Sequence, residues 1–200
     1  MKLPLALAFA PTDLRGPGGV RALRAAQDEA LWLAAERAGA PTPVDFPRDA
    51  DGAPRPFGAG SWRWSAANTR GAALAAVAPV RVGVDLEALD RPRVAPAKEF
   101  ADAGELALCE SWDREHTLAL WTAKEAVLKM VGCGIAELRA CRLAAPLSLA
   151  SGEVTLAHRG ERRRVSLVQS SGFLLAAAFE EAQLSPELFV ARKAQAEAHA

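Results

Sequence analysis

An α+β fold with its strands and helices segregated along the chain follows from three observations. A short apolar strand, Leu3 to Ala10, is followed by a glycine-rich loop and one long helical segment. Two helical segments between residues 96 and 131 then interrupt the strand pattern. From Arg142 to Glu180 the chain returns to short alternating segments separated by turn residues. Runs of strands alternating with runs of helices favour α+β over a regular βαβ winding.

Taken in order, Gly16, Pro17, Gly18 and Gly19 make the first loop, and a helix is expected over Val20 to Ala38, stopped by Gly39. Residues 40–60 are rich in Pro, Gly and Asp and read as loop. Ser61 to Ala66 and Ala72 to Ala78 form the arms of a hairpin turned near Asn68-Thr69-Arg70-Gly71. Pro79 marks the seam between two α+β portions, residues 1–79 and 80–184, with an Ala-rich tail over 185–200 that is either a docked helix or a frayed end. Beyond the seam come a strand over Val82 to Glu87, helices over Pro96 to Trp112 and Arg114 to Val131, and strands over 142–149, 153–157, 163–169 and 173–180.

Composition narrows the function classes. Half of the 200 residues are hydrophobic, enough for a substantial core. Twenty-four basic residues balance twenty-four acidic ones, which argues against a general nucleic-acid binder. Cys109, Cys133 and Cys141 form no C-x-x-C pair and suit a reducing cytoplasm. His116, His158 and His199 share no motif, so no zinc site is expected. No apolar run is long enough for a membrane span. Lys2 followed by Leu3 to Ala10 faintly imitates a signal peptide, but the early Pro4 and the short apolar core favour a first strand.

Chemistry concentrates in two segments. In Val82-Gly83-Val84-Asp85-Leu86-Glu87 side chains alternate, so Gly83, Asp85 and Glu87 share a face opposite Val82, Val84 and Leu86. The two carboxylates then stand about 7 Å apart. Carboxylates held that close call for a cation between them, and Mg²⁺ takes one or two carboxylates plus substrate phosphates. Gly83 is expected to leave the approach to the pair uncrowded. The plain alternative is a solvated polar face of a half-buried strand.

In the helix Trp121-Thr122-Ala123-Lys124-Glu125-Ala126-Val127-Leu128-Lys129, Thr122, Glu125 and Lys129 fall within one narrow arc, with Leu120, Val127, Leu128 and Val131 opposite. Glu125 and Lys129 are four apart and can touch, which alone is an ordinary surface ion pair. Lys124 lies inside the apolar arc, where it must snorkel or find an anion.

Together these segments resemble the signature of the 4′-phosphopantetheinyl transferases: a G-(V/I/T)-D-(I/L/V)-E strand, about forty residues, then W-(S/T)-x-K-E-(A/S)-x-x-K. Glu99 to Glu105 is similar to the F-x-x-x-x-E segment that the family places between them, and Gly132-Cys133-Gly134 fits its closing G-x-G. The resemblance is strong over Val82 to Gly134 and weak elsewhere. It implies a fold of two similar α/β halves forming a pseudo-dimer, as in the larger, surfactin-synthetase-activating members, with coenzyme A between the halves and the chain acting as a monomer. The length before Val82 sets it apart from the small trimeric holo-acyl-carrier-protein synthases.

The implied reaction moves the 4′-phosphopantetheine arm of coenzyme A onto a serine of an apo acyl or peptidyl carrier protein in the cytoplasm, releasing 3′,5′-ADP. Asp85, Glu87 and Glu125 would hold Mg²⁺. Glu125 would serve as ligand, general base or both. Lys129 would neutralise the pyrophosphate or protonate the leaving group, with Lys124 the next phosphate candidate.

The first half departs from the family. Its usual N-(F/I/L)-S-(H)-(S/T) segment corresponds to Trp62-Arg63-Trp64-Ser65-Ala66-Ala67-Asn68. Ser65 is retained, Ala66 stands where the family has a phosphate-binding His, and Asn68 is a nearer replacement than Arg63. Arg24, one turn from Arg21 on the first helix, and Arg55, before Pro56, match family positions that contact the nucleotide; the alternative for each is solvated surface. The basic run Arg162-Arg163-Arg164 is either solvated or helps dock an acidic carrier protein. Phe100, Leu106, Leu108, Trp112 and Leu118 line either a surface for the carrier helix or the core. A non-catalytic relative that binds coenzyme A or a carrier protein as a scaffold is the alternative function, favoured by Ala66 and disfavoured by the intact Asp85, Glu87, Glu125 and Lys129.

Overall fold

Nine strands and three α-helices build four layers in a computed structural model that describes residues 2–13, 16–41, 46–109, 111–180 and 184–191. The order is β1 (Lys2–Phe9), α1 (Gly16–Ala38), β2 (Arg63–Thr69), β3 (Ala72–Ala78), β4 (Val82–Ala88), α2 (Ala103–Leu106), α3 (Arg114–Val131), β5 (Arg142–Leu143), β6 (Glu153–His158), β7 (Glu161–Ser170), β8 (Phe173–Phe179) and β9 (Ser185–Val190). The first sheet runs β2-β3-β1-β9 and the second β4-β8-β7-β6-β5. All neighbours are antiparallel except β1 and β9, which are parallel.

Strand alternation assigns the layers. In β1, Leu3, Leu5 and Leu7 face the second sheet and meet Val82, Val84, Leu86, Leu175 and Ala177 there. Ala6 and Ala8 face the other way, with Ala73 and Ala75 of β3, and receive Ala26, Ala30, Leu31 and Ala34 of α1. These small side chains let the helix lie close to the sheet. On the far side of the second sheet, Leu120, Ala123, Val127 and Leu128 of α3 cover Val154, Leu156, Val165, Ala176 and Ala178. The layers are therefore α1, first sheet, second sheet, α3.

The α+β class and most elements follow the sequence expectation, with five differences. Gly16 to Gly19, expected as a loop, form the first turn of α1, which runs Gly16–Ala38. The segment from Pro96 to Trp112 is not one helix: it holds a 3-10 turn at Ala97–Glu99 and the one-turn α2. The Phe100 carbonyl turns inward to accept a hydrogen bond from Lys124, and Asp102 caps α2, so the helix cannot run through. The strand expected over 142–149 shrinks to Arg142–Leu143, with an isolated bridge from Ser148 to Glu153. The hairpin turn narrows to Arg70-Gly71, Gly71 taking a φ of 87°. Finally, Ser185–Val190, read from sequence as the start of a tail, forms a strand on the open edge of β1; the rest of that tail, 192–200, lies outside the described residues. No helix among the described residues is long and apolar enough to cross a membrane.

Candidate active site

The acidic pair on β4 faces α3, and Gly83 is what lets the helix reach it. A Cβ on Gly83 would overlap the backbone of α3 at Ala126 and Met130. The expectation that Gly83 keeps an open approach is therefore corrected: it is the point of closest helix–strand contact. The α3 residues that flank this contact are the ones in question. Glu125 precedes Ala126, and Lys129 precedes Met130. Asp113 caps the start of the helix by accepting from the His116 amide, and Gly132 ends it with a φ of 78°.

Packing brings Asp85, Glu87, Glu125 and Lys129 into one cluster. Lys129 Nζ donates to Asp85 Oδ1 at 2.6 Å. Asp85 is 6% exposed, and its other oxygen, Oδ2, is buried with no partner among the described residues. Glu87 Oε1 accepts from Arg91 at 2.5 Å. Glu125 is half-buried. Burial pushes the Asp85 carboxyl above the usual carboxylate range, outweighing the opposing pull of Lys129. Glu87 is raised by burial too, against the pull of Arg91. Glu125 is raised by burial and next by the negative charge of Asp85. Three carboxylates that resist ionisation together, one with an orphaned buried oxygen, fit a hard divalent cation with oxygen ligands, and Mg²⁺ in particular.

A cleft of about 800 Å³ opens beside Glu87. It lies where the β2–β3 turn, the exit of β4 and the β7–β8 turn converge. Asn68, Arg70, Glu87, Arg91 and Phe173 are among its walls. Thr12 and Arg70 also border a second cavity of about 480 Å³ at the first turn of α1, beside Gly16 and Gly19.

A family model described as the 4′-phosphopantetheinyl transferase superfamily matches residues 81–180, half of the chain. The chain belongs to that superfamily. No curated protein matches it. The matched span holds all four clustered residues and none of Arg24, Arg55 or Ser65.

Within this transferase, several residues expected at the site lie elsewhere. Lys124 is fully buried and is not free for a phosphate: its ammonium pairs with Glu105 Oε1 at 2.7 Å and donates to the Phe100 carbonyl at 2.7 Å. Burial lowers its proton affinity from the usual lysine range, opposed by Glu105. Glu105 also accepts from the Leu143 and Asp102 amides. The F-x-x-x-x-E segment and Lys124 thus make a buried, saturated ion pair on the core side of α3. Ser65 is likewise internal. It is 3% exposed and its Oγ accepts from the Val84 amide at 3.0 Å, joining the edge of one sheet to the edge of the other. It does not line the cleft.

Arg24 and Arg55 are exposed and neither lines the cleft. Arg55 sits on the loop over β2, its carbonyl accepting from Trp64 Nε1. Arg24 is one turn before Gln27, which accepts from Asn68 Nδ2 at 2.9 Å. The residue of the β2 segment that meets the cleft is Asn68, not Ala66. Phe100 and Leu118 are core, and Leu106, Leu108 and Trp112 pack against it while staying partly exposed. In the basic run, Arg163 pairs with Glu161.

Sequence reasoning did not single out Arg91 or Arg70. Arg91 stands four residues after Glu87, a spacing that signals contact on a helix but not past the end of a strand. Only the turn after β4 folds it back.

Proposed function

We propose that this protein is an Mg²⁺-dependent transferase that moves the 4′-phosphopantetheine arm of coenzyme A onto a serine of an apo acyl or peptidyl carrier protein, releasing 3′,5′-ADP. The observation that carries the reading is the meeting of Asp85, Glu87, Glu125 and Lys129, of which Glu87 lines the cleft. The cytoplasm, with coenzyme A and carrier proteins at hand, is the compartment this reading requires. The chain acts as a monomer in which 1–79 and 80–184 are the two halves of a pseudo-dimer.

Asp85, Glu87 and Glu125 would hold Mg²⁺, which when bound offsets the charge that develops on the pyrophosphate oxygens. Everything else falls to the chain. In the reaction the serine oxygen bonds to the β-phosphorus of coenzyme A and the bond from that phosphorus to the bridging oxygen breaks. The serine proton passes to the Glu125 carboxylate, the acceptor that the cluster places beside Lys129. Lys129, held beside Asp85, places an ammonium against the leaving phosphate. Arg91 exchanges Glu87 for phosphate when the cation arrives. Asn68 and Arg70 stand in for the missing histidine as donors to the nucleotide phosphates, and the first turn of α1 adds backbone amides beside Arg70.

The test is the intact mass of apo carrier proteins after incubation with the protein, coenzyme A and Mg²⁺. A gain of about 340 Da, the mass of the transferred arm, that disappears with EDTA and with Asp85→Asn is expected. No gain on any of several unrelated carriers overturns the reading.

A further inference from the structure

Far from the acidic cluster in chemistry, though only four residues beyond Lys129, the end of α3 meets the β6–β7 hairpin. There Cys133, Glu137 and His158 come together from three places in the sequence: the loop after α3, a 3-10 turn at Ile135–Glu137, and the last residue of β6. Their ligand atoms all lie within 4.8 Å of one another. No spacing motif links them, which is why the scattered histidines predicted no such site.

We propose that Cys133, Glu137 and His158 form a second metal site, selective for Zn²⁺ or a similar borderline transition ion, that ties the end of α3 to the β6–β7 hairpin.

The donor set decides the class of ion. A thiolate, an imidazole and one carboxylate suit Zn²⁺ and not Mg²⁺ or Ca²⁺, which take oxygen. Three protein ligands leave the fourth tetrahedral position to water. Ideal sulfur and nitrogen ligands of one zinc stand about 3.5 Å apart, so loading opens the 2.8 Å His158–Glu137 pair slightly and brings in Cys133 Sγ, which lies within 4.8 Å of both. The half-buried Cys133 and Glu137, on a loop and a single turn, can supply that movement.

The existing hydrogen bonds already outline the ligation. His158 is 1% exposed, its Nε2 lies 2.8 Å from Glu137 Oε2, and its Nδ1 is buried with no partner among the described residues. Zinc between Nε2 and Oε2 takes the place of that hydrogen bond, with the ring proton carried on Nδ1. Arg159 donates to Glu137 Oε2 at 3.2 Å, a bond the metal displaces, and to Oε1 at 2.5 Å. It can keep the Oε1 bond while Oε2 turns to the metal, acting as the outer partner that orients a carboxylate ligand. The Cys133 thiol loses its proton to solvent on binding. Partial burial holds that thiol above the ordinary cysteine range, opposed by Arg159, so it stays protonated until a metal takes it.

The test uses the full-length protein with Co²⁺ as a spectroscopic stand-in for Zn²⁺, in excess Mg²⁺ to occupy the acidic cluster. One equivalent of Co²⁺ should bind with near-ultraviolet thiolate-to-cobalt absorption, and Zn²⁺ should displace it. Cys133→Ser should abolish that absorption and weaken Zn²⁺ binding at least about 100-fold, while Cys109→Ser should change neither. Zn²⁺ should raise the melting temperature of the wild type but not of Cys133→Ser. His158→Gln removes a buried ring and can unfold the chain, so Cys133→Ser is the deciding variant. Absence of thiolate absorption in the wild type, absorption that survives Cys133→Ser, or Co²⁺ binding abolished by Asp85→Asn instead would each overturn the proposal. None of these outcomes depends on whether the protein transfers phosphopantetheine.

Discussion

At the scale of residues, two lysines five positions apart on α3 have opposite fates. Lys129 reaches Asp85 in the acidic cluster, while Lys124 is sealed in the core with Glu105. Substitution should separate them. Asp85→Asn and Glu125→Gln are expected to abolish transfer and to weaken Mg²⁺ binding by calorimetry with little change in melting temperature; near-normal turnover in either would remove the metal assignment. Lys124→Met leaves the Glu105 charge buried and unpaired and should cost about 3–5 kcal/mol. Lys124→Met combined with Glu105→Leu should recover much of that loss in denaturant melts, because no lone charge remains. The pH dependence follows from the raised carboxyls. A carboxyl whose proton affinity is higher in the folded than in the unfolded state costs stability once it ionises. In EDTA, the melting temperature should therefore fall as pH rises from the ordinary carboxylate range through the raised values of Asp85, Glu87 and Glu125. Mg²⁺ should restore it at neutral pH and lose hold as acid protonates the same groups.

At the scale of elements, the site exists because one helix lies against one strand without a side chain between them. Gly83→Ala would drive α3 off β4 at Ala126 and Met130. Overpacking of this kind costs about 1–3 kcal/mol or more. It should weaken Mg²⁺ binding although no ligand has changed, and a variant with wild-type stability and Mg²⁺ affinity would contradict the packing described here. Both of these elements were legible in the sequence. Alternation placed Asp85 and Glu87 on one face, and the helical period placed Glu125 and Lys129 on one arc, because both periods are local. What the local pattern did not contain was what each face meets. Gly83 read as open space because nothing nearby in sequence announces a helix backbone 43 residues later. Ser65 read as a ligand contact because its acceptor role is set by the Val84 amide of another sheet. The Pro96 to Trp112 segment has helical composition, and only the buried demand of Lys124 breaks it. Ser185–Val190, with a proline and a glutamate, becomes a strand through pairing with β1.

At the scale of the whole molecule, the two sheets are joined by apolar packing and by the Ser65 bond between their edges. Ser65→Ala strands the buried Val84 amide and should cost about 1–3 kcal/mol, measured by denaturant melts, with Mg²⁺ affinity unchanged. Removing residues 184–200 takes β9 from the first sheet and bares one side of β1. An unpaired edge next to apolar Leu3, Leu5 and Leu7 invites pairing between chains, so the truncated protein should elute from a sizing column as oligomers; a monomer of unchanged stability would show that β9 contributes little. The parallel pairing of β1 with β9 has a consequence for birth as well as for stability. Strand β1 waits for one made about 180 residues later. While the ribosome works through the intervening residues, the nascent first sheet carries an open margin that only the late strand can close. A pause in synthesis beyond Phe179 would leave a chain that already holds every clustered carboxylate yet still offers β1 to chaperones and to neighbouring copies.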